Sequence, residues 1–187
     1  GASAGGPVGL VVAKPGRRGA PAAGRFHPSE GGGMVHGIRF GNGGRPAYRN
    51  RFVRTAGLAA ELEAGAPLWA GIIESPAKSQ REGWGARGRM KDASSTDVVV
   101  HNGVALTTFY QCGDAYQLDA ALADRGRAPW VPATGISAHP TLDPITCELM
   151  FFSYSTPAPY IHYCLFDTHG AVVHHPPVPL PGSESHN

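Results

Sequence analysis

A chain of 187 residues has the length of one ordinary domain, and its 42% apolar residues are enough for a core. Charged residues make up only 16%, whereas Gly (26) and Pro (17) are plentiful, a mix that favours many short strands joined by tight turns over a helical bundle. The net charge of +2 argues against a nucleic-acid binder and against a polybasic membrane surface.

Residues 1–30 are rich in Gly, Ala, Pro and Arg and read as a poorly ordered N-terminal segment, in which only 8–13 could form a strand. Strands are expected over 34–40 and 47–53, around the turn signal Gly41-Asn42-Gly43-Gly44. A short helix is expected over 58–64. Strands over 97–101 and 104–109 flank Asn102-Gly103, a strong two-residue hairpin signal. Another short strand follows at 115–118, then one helical turn or a tight loop over 119–125. Segments 149–154, 161–166 and 171–175 read as a meander, with Asp167-Thr168-His169-Gly170 as one of its turns. The proline-rich stretch 176–182 is expected to be extended and to leave the sheet. Short antiparallel strands at regular spacing mean an all-β protein, whether sandwich, barrel or propeller.

The three cysteines, Cys112, Cys147 and Cys164, have no CxxC spacing, which disfavours a zinc knuckle. Each adjoins a strand-like run and reads as a reduced structural thiol, which points to a cytoplasmic location. No apolar run approaches the ~20 residues of a membrane span, and the first residues lack the order of a secretion signal. Because residue 1 is Gly rather than Met, a processed start or a fragment is expected.

The most informative stretch is Gly135-Ile136-Ser137-Ala138-His139-Pro140, followed by Thr141-Leu142-Asp143-Pro144-Ile145-Thr146-Cys147-Glu148-Leu149-Met150-Phe151-Phe152. His139 stands at a turn between a Gly/Ser approach and a proline. Backbone this restricted aims a side chain one way, as a metal ligand requires. Taken alone, such a histidine would read as a hydrogen-bonded turn residue. The stretch resembles the carotenoid cleavage oxygenase family, non-haem iron enzymes that include the lignostilbene dioxygenases. In that family an Ala-His-Pro, a short Asp-containing turn and a Gly/Cys-Glu-Leu-x-Phe-Phe strand carry the first of four iron-binding histidines. Other segments resemble the family in order: Gly33-Met34-Val35-His36-Gly37-Ile38-Arg39-Phe40, Tyr48-Arg49-Asn50-Arg51-Phe52-Val53-Arg54-Thr55, Lys91-Asp92 through Val100-His101-Asn102-Gly103, Ala115-Tyr116-Gln117-Leu118-Asp119 and Ala158-Pro159-Tyr160-Ile161-His162-Tyr163. The resemblance covers roughly residues 31–182.

The resemblance implies a seven-bladed β-propeller with Fe(2+) on its axis, of which residues 31–187 would build about the first two to three blades, truncated at the C-terminus. Four neutral imidazoles would hold the iron; imidazole also suits zinc, copper and nickel. The implied reaction is oxidative cleavage by O2 of a conjugated carbon–carbon double bond in an apolar polyene or stilbene, whether carotenoid, apocarotenoid or stilbene. No organic cofactor is implied, and carotenoid extraction would leave room for peripheral membrane contact. The alternative is a catalytically inactive propeller fragment or binding module. A zinc hydrolase would need an HExxH or paired-ligand spacing that is absent.

By the same resemblance His139 is the first ligand. His186 is a candidate second, although it lies about one residue early and Asn187 stands where the family has aspartate. The third and fourth ligands have no candidates in this chain. Gln111 occupies the place of a family glutamate that holds a ligand histidine; its oxygen can accept the N–H but carries no charge. His36 and His101 read as strand residues that pack or hydrogen-bond, His162 as facing a core or tunnel, and His27 and His169 as loop residues. His174 and His175, as neighbours in a strand, must point oppositely. Phe109, Tyr110, Trp130, Phe151, Tyr154 and Tyr160 could line an apolar tunnel, but at strand spacing they read first as core.

Overall fold

The computed structural model describes residues 8–16, 31–40, 45–84, 89–110 and 113–180. Three antiparallel sheets follow one another along the chain. The first joins β1 (Val8–Gly16), β2 (Gly32–Phe40) and β3 (Ala47–Phe52) in the order β1-β2-β3. The strand expected over 8–13 thus extends to Gly16, with Val8 opposite Phe40. Helix α1 (Ala56–Ala64) follows. The Thr55 hydroxyl accepts the Leu58 N–H at 3.0 Å, which satisfies one orphan donor of its first turn, and Gly65 at φ 66° ends the helix.

The second sheet is β4 (Asp97–His101), β5 (Val104–Thr108), β6 (Tyr116–Leu118) and β7 (Asp124–Arg127), paired in that order. Asn102 (φ 50°) and Gly103 (φ 75°) turn between β4 and β5. Two consecutive positive φ values match the right-handed twist of a hairpin, and Asn-Gly reaches them at least cost. Residues 119–123 form a tight loop in which Asp119 accepts the N–H groups of Ala121 and Ala123. The chain then returns as β7, a strand that its charged, Gly-containing sequence concealed.

The third sheet is β8 (Thr141–Leu142), β9 (Leu149–Tyr154), β10 (Ile161–Phe166) and β11 (Val172–His174), in the order β11-β10-β9-β8; β12 (Pro177–Val178) also pairs with β10. The proline-rich stretch therefore does not leave the sheet where it is described. Proline cannot donate, but its carbonyl can accept: the Tyr163 N–H bonds to the Pro176 carbonyl at 3.1 Å, and an edge position tolerates the missing N–H.

Two cores lie between the three sheets. Val35, Val53, Ala105, Tyr116, Leu118 and Leu122 fill one; Leu106, Ala128, Ile136, Leu149, Phe151, Cys164 and Phe166 fill part of the other. The middle sheet contributes to both. Successive residues of β5 point to opposite faces, so Ala105 enters the first core and Leu106 the second. Sheets packed face to face in series, each a short antiparallel meander, are propeller blades.

Candidate metal centre

His139 leaves the third sheet at a defect in strand pairing. Thr141 pairs with Met150, and the Ser137 N–H bonds to the Phe152 carbonyl at 2.8 Å. Four residues thus separate Ser137 from Thr141, while their partners on β9 are two apart. Residues 138–140 absorb the surplus as a bulge, and His139 takes φ 61°. For a residue with a Cβ that conformation is strained, the more so before a proline, which favours extended backbone. Bulges re-aim side chains. Residues 135–138 are buried, and the His139 side chain emerges 76% exposed.

Its neighbour is Asp97, the first residue of β4 in the adjacent sheet. The His139 Nδ1 stands 3.3 Å from Asp97 Oδ2, and the Val98 N–H donates to Asp97 Oδ1 at 2.7 Å. Asp97 is therefore anchored by its own strand, and it stands as an acceptor for a proton on Nδ1, which leaves Nε2 as the ring nitrogen not engaged by the carboxylate. Thr108, opposite Asp97 in the ladder, keeps a buried hydroxyl without a hydrogen-bond partner in the structure.

A buried carboxylate, Asp92, braces the segments that hold the two sheets in this relation. Asp92 is fully buried. Its Oδ1 accepts the Ser94 N–H at 3.0 Å and its Oδ2 the Asp114 N–H at 2.8 Å. Burial outweighs these two bonds and pushes its pKa up to about 7, aided by the charge of Asp114. Gly113 makes the close approach possible, because a Cβ there would lie 2.6 Å from the Asp92 carboxylate. The Gly113 carbonyl then accepts the Ile136 N–H at 3.0 Å, three residues before His139. In the sequence Asp92 only opens a family-like segment, and nothing there marks it as buried.

The remaining histidines separate cleanly. His36 Nδ1 meets the Tyr48 hydroxyl at 2.6 Å. His101, buried, meets the Cys147 carbonyl at 3.1 Å through Nε2 and so ties β4 to the loop after β8. His174 is exposed on β11, and His175 turns toward His162. Phe109 and Phe151 are buried core residues, and Trp130 packs on Phe151 and Phe166. Gln111, Cys112, His27 and His186 lie outside the described residues.

Iron bound by imidazoles can be tested against this donor set. His139 suits one position: its ring is accessible, its Nδ1 faces an acceptor, its Nε2 is free, and an unsatisfied hydroxyl lies on the residue opposite its partner. Among the described residues, no group of three or more His, Cys, Asp and Glu side chains gathers to hold an ion. His139 thus fits as a single ligand of a set not otherwise present in the described residues. A cleft of about 370 Å³ lies elsewhere, between the first two sheets, lined by Gly37, Tyr48, Arg49, Val100, Ala121 and Leu122 among others.

Comparison with known proteins agrees with this architecture. The family model for retinal pigment epithelial membrane protein matches residues 10–186. An isoeugenol monooxygenase of Pseudomonas nitroreducens is 30% identical over 158 residues, 80% of this chain and 32% of its own. A carotenoid 9,10(9',10')-cleavage dioxygenase of Phaseolus vulgaris is 28% identical over 183 residues, 86% of this chain and 32% of its own. The crystal structure of a lignostilbene dioxygenase of Pseudomonas brassicacearum superposes with a TM-score of 0.79 at 25% identity, covering 95% of this chain and 37% of that one. The chain spans about a third of the length of the curated relatives it matches.

Proposed function

The chain belongs to the retinal pigment epithelial membrane protein family, that of the carotenoid and stilbene cleavage oxygenases, and on that premise we propose that it contributes the first iron ligand of a dioxygenase cleaving a conjugated carbon–carbon double bond. The substrate is an apolar carotenoid, apocarotenoid or stilbene, and the second substrate is O2. One observation carries the reading: the sheet spends a bulge and a strained φ to present a single accessible imidazole, His139, beside an anchored carboxylate. Strain of this kind persists where function requires it.

Iron, when bound, supplies the activation of dioxygen. The chain's own part is orientation. Asp97 accepts from Nδ1 and holds the tautomer whose Nε2 lone pair is available, the usual arrangement behind a ligating histidine. Asp92 and Gly113 hold the sheet carrying Asp97 against the segment carrying His139. The reaction balances as one alkene plus one O2 giving two carbonyl products, so no external reductant is needed. The free thiols of Cys147 and Cys164 support a reducing, cytosolic setting.

The test uses the protein expressed from its full reading frame and loaded with Fe(2+). Incubation with a hydroxystilbene or an apocarotenal under 18O2 is expected to give two carbonyl fragments, each carrying one labelled oxygen. His139→Ala is expected to abolish this and to weaken iron binding. Intact substrates with the iron-replete protein, or undiminished cleavage by His139→Ala, would sink the proposal.

A further inference from the structure

The inner face of the third sheet carries a pair of imidazoles, away from His139. His162 lies on β10, on the same face as Cys164 and Phe166. His175 lies between β11 and β12, both of which pair with β10. The register His162↔Pro177 and the bond from the Tyr163 N–H to the Pro176 carbonyl fix the two backbones, so the rings meet because the sheet puts them there. Their centroids are 4.9 Å apart with the planes inclined at 31°, and both side chains are only half-buried.

That separation suits a shared ion. An imidazole nitrogen stands about 2.0–2.1 Å from zinc, which puts the ring centre roughly 3.2 Å from the ion. Two rings on one ion, at angles from a right angle to tetrahedral, are then roughly 4.5–5.2 Å apart. The nitrogen chemistry agrees. His175 Nε2 is 3.2 Å from the Thr134 hydroxyl oxygen. That oxygen also accepts the Ser153 hydroxyl at 3.1 Å. His175 Nε2 is thereby tied to Thr134, and Nδ1 is the ring nitrogen left for an ion.

We propose that His162 and His175 form a two-imidazole site for a late first-row divalent cation such as Zn2+, Ni2+ or Cu2+, completed by water. Imidazole suits all three ions. Occupation clips the edge strands β11 and β12 to β10, so the site is structural in kind. It requires neither His139 nor the dioxygenase reading.

Titration of Ni2+ alone into metal-free protein, followed by calorimetry, tests this. One site is expected that weakens by at least about tenfold in His162→Gln and in His175→Gln. It is expected to survive in His174→Gln, which removes the exposed neighbouring ring, and in His139→Gln, which removes the candidate iron ligand. Because an ion bound only by the folded state raises the melting temperature, Ni2+ should raise it in the wild type and not in the first two variants. A measurement without substitution guards against misfolded variants: paramagnetic Ni2+ should selectively broaden the ring resonances of His162 and His175. Equal affinity in His162→Gln and wild type, loss in His174→Gln, or broadening confined to other histidines would overturn the site and leave the contact as ring stacking.

Discussion

At the scale of single residues, His139 was visible beforehand, whereas the buried carboxylate of Asp92 that braces the centre was not. His139 stood out because glycine, serine and proline surround it. Its positive φ did not, because that follows from the two-residue surplus over Ser137–Thr141 against β9, a property of pairing. The strain can be isolated by comparing two variants that both lack the imidazole. His139→Gly is expected to be more stable than His139→Ala by about 1 kcal/mol, because a Cβ at left-handed φ costs about 1–2 kcal/mol and glycine's unfolded-state entropy returns part of that. Chemical denaturation measures the difference, and equal stability would mean that the backbone is unstrained. The burial of Asp92 was not legible because it is purely tertiary. Its folded pKa is raised from 3.8 to about 7. Its contribution is therefore fully present below about pH 4 and is lost as pH rises through about 7, because the folded state binds the extra proton. Asp119, Asp143 and Asp167, whose pKa values are lowered chiefly by backbone N–H donors, act oppositely and in a lower window. Between about pH 4.5 and 7.5 the urea midpoint of Asp92→Asn should therefore fall less, or rise more, than that of the wild type. Parallel curves would refute the raised value.

At the scale of elements, the strands with hydrophobic patterns were legible and the short strands β7, β8 and β12 were not. Asn102-Gly103 fixed the β4–β5 hairpin, and the apolar runs of β9 and β10 marked those strands to the residue. β7 and β12 were missed for physical reasons. Asp124-Arg125-Gly126-Arg127 and Pro177-Val178 lie at sheet edges, where charge and proline discourage further pairing and no buried face imposes alternation. β5 also breaks alternation, for the opposite reason: its two faces enter two cores. That predicts an asymmetry within one hairpin. Leu106→Ala should cost about 2–5 kcal/mol by opening a cavity between the second and third sheets. Val100→Ala on β4, at a side chain 56% exposed, should stay within about 0.5 kcal/mol. Similar losses at both positions would contradict the two-core arrangement.

At the scale of the whole molecule, the sequence yielded strands and a family but not the stacking, because alternation within a strand says which residues are buried and not against which sheet. The stacking also has a consequence at the far side of the third sheet. Its inner face, Leu149, Phe151, Cys164 and Phe166, is packed. Its opposite face alternates Met150, Phe152 and Tyr154 on β9 with Ile161, Tyr163 and Leu165 on β10, a continuous apolar surface half-buried to exposed. Such a surface has the composition of an inter-blade contact, and surfaces of this kind mark places where another element packs. The 187-residue chain by itself should therefore bind a hydrophobic dye at this face. Tyr163→Lys, at a side chain 37% exposed, should reduce dye fluorescence at little cost to the chain's melting temperature, since it inserts charge where no described core lies. The same substitution within a longer protein that covers the face should destabilise by several kcal/mol through an unpaired buried charge. Dye binding unaffected by Tyr163→Lys, or a large loss of melting temperature in the 187-residue chain, would show that this face is already covered.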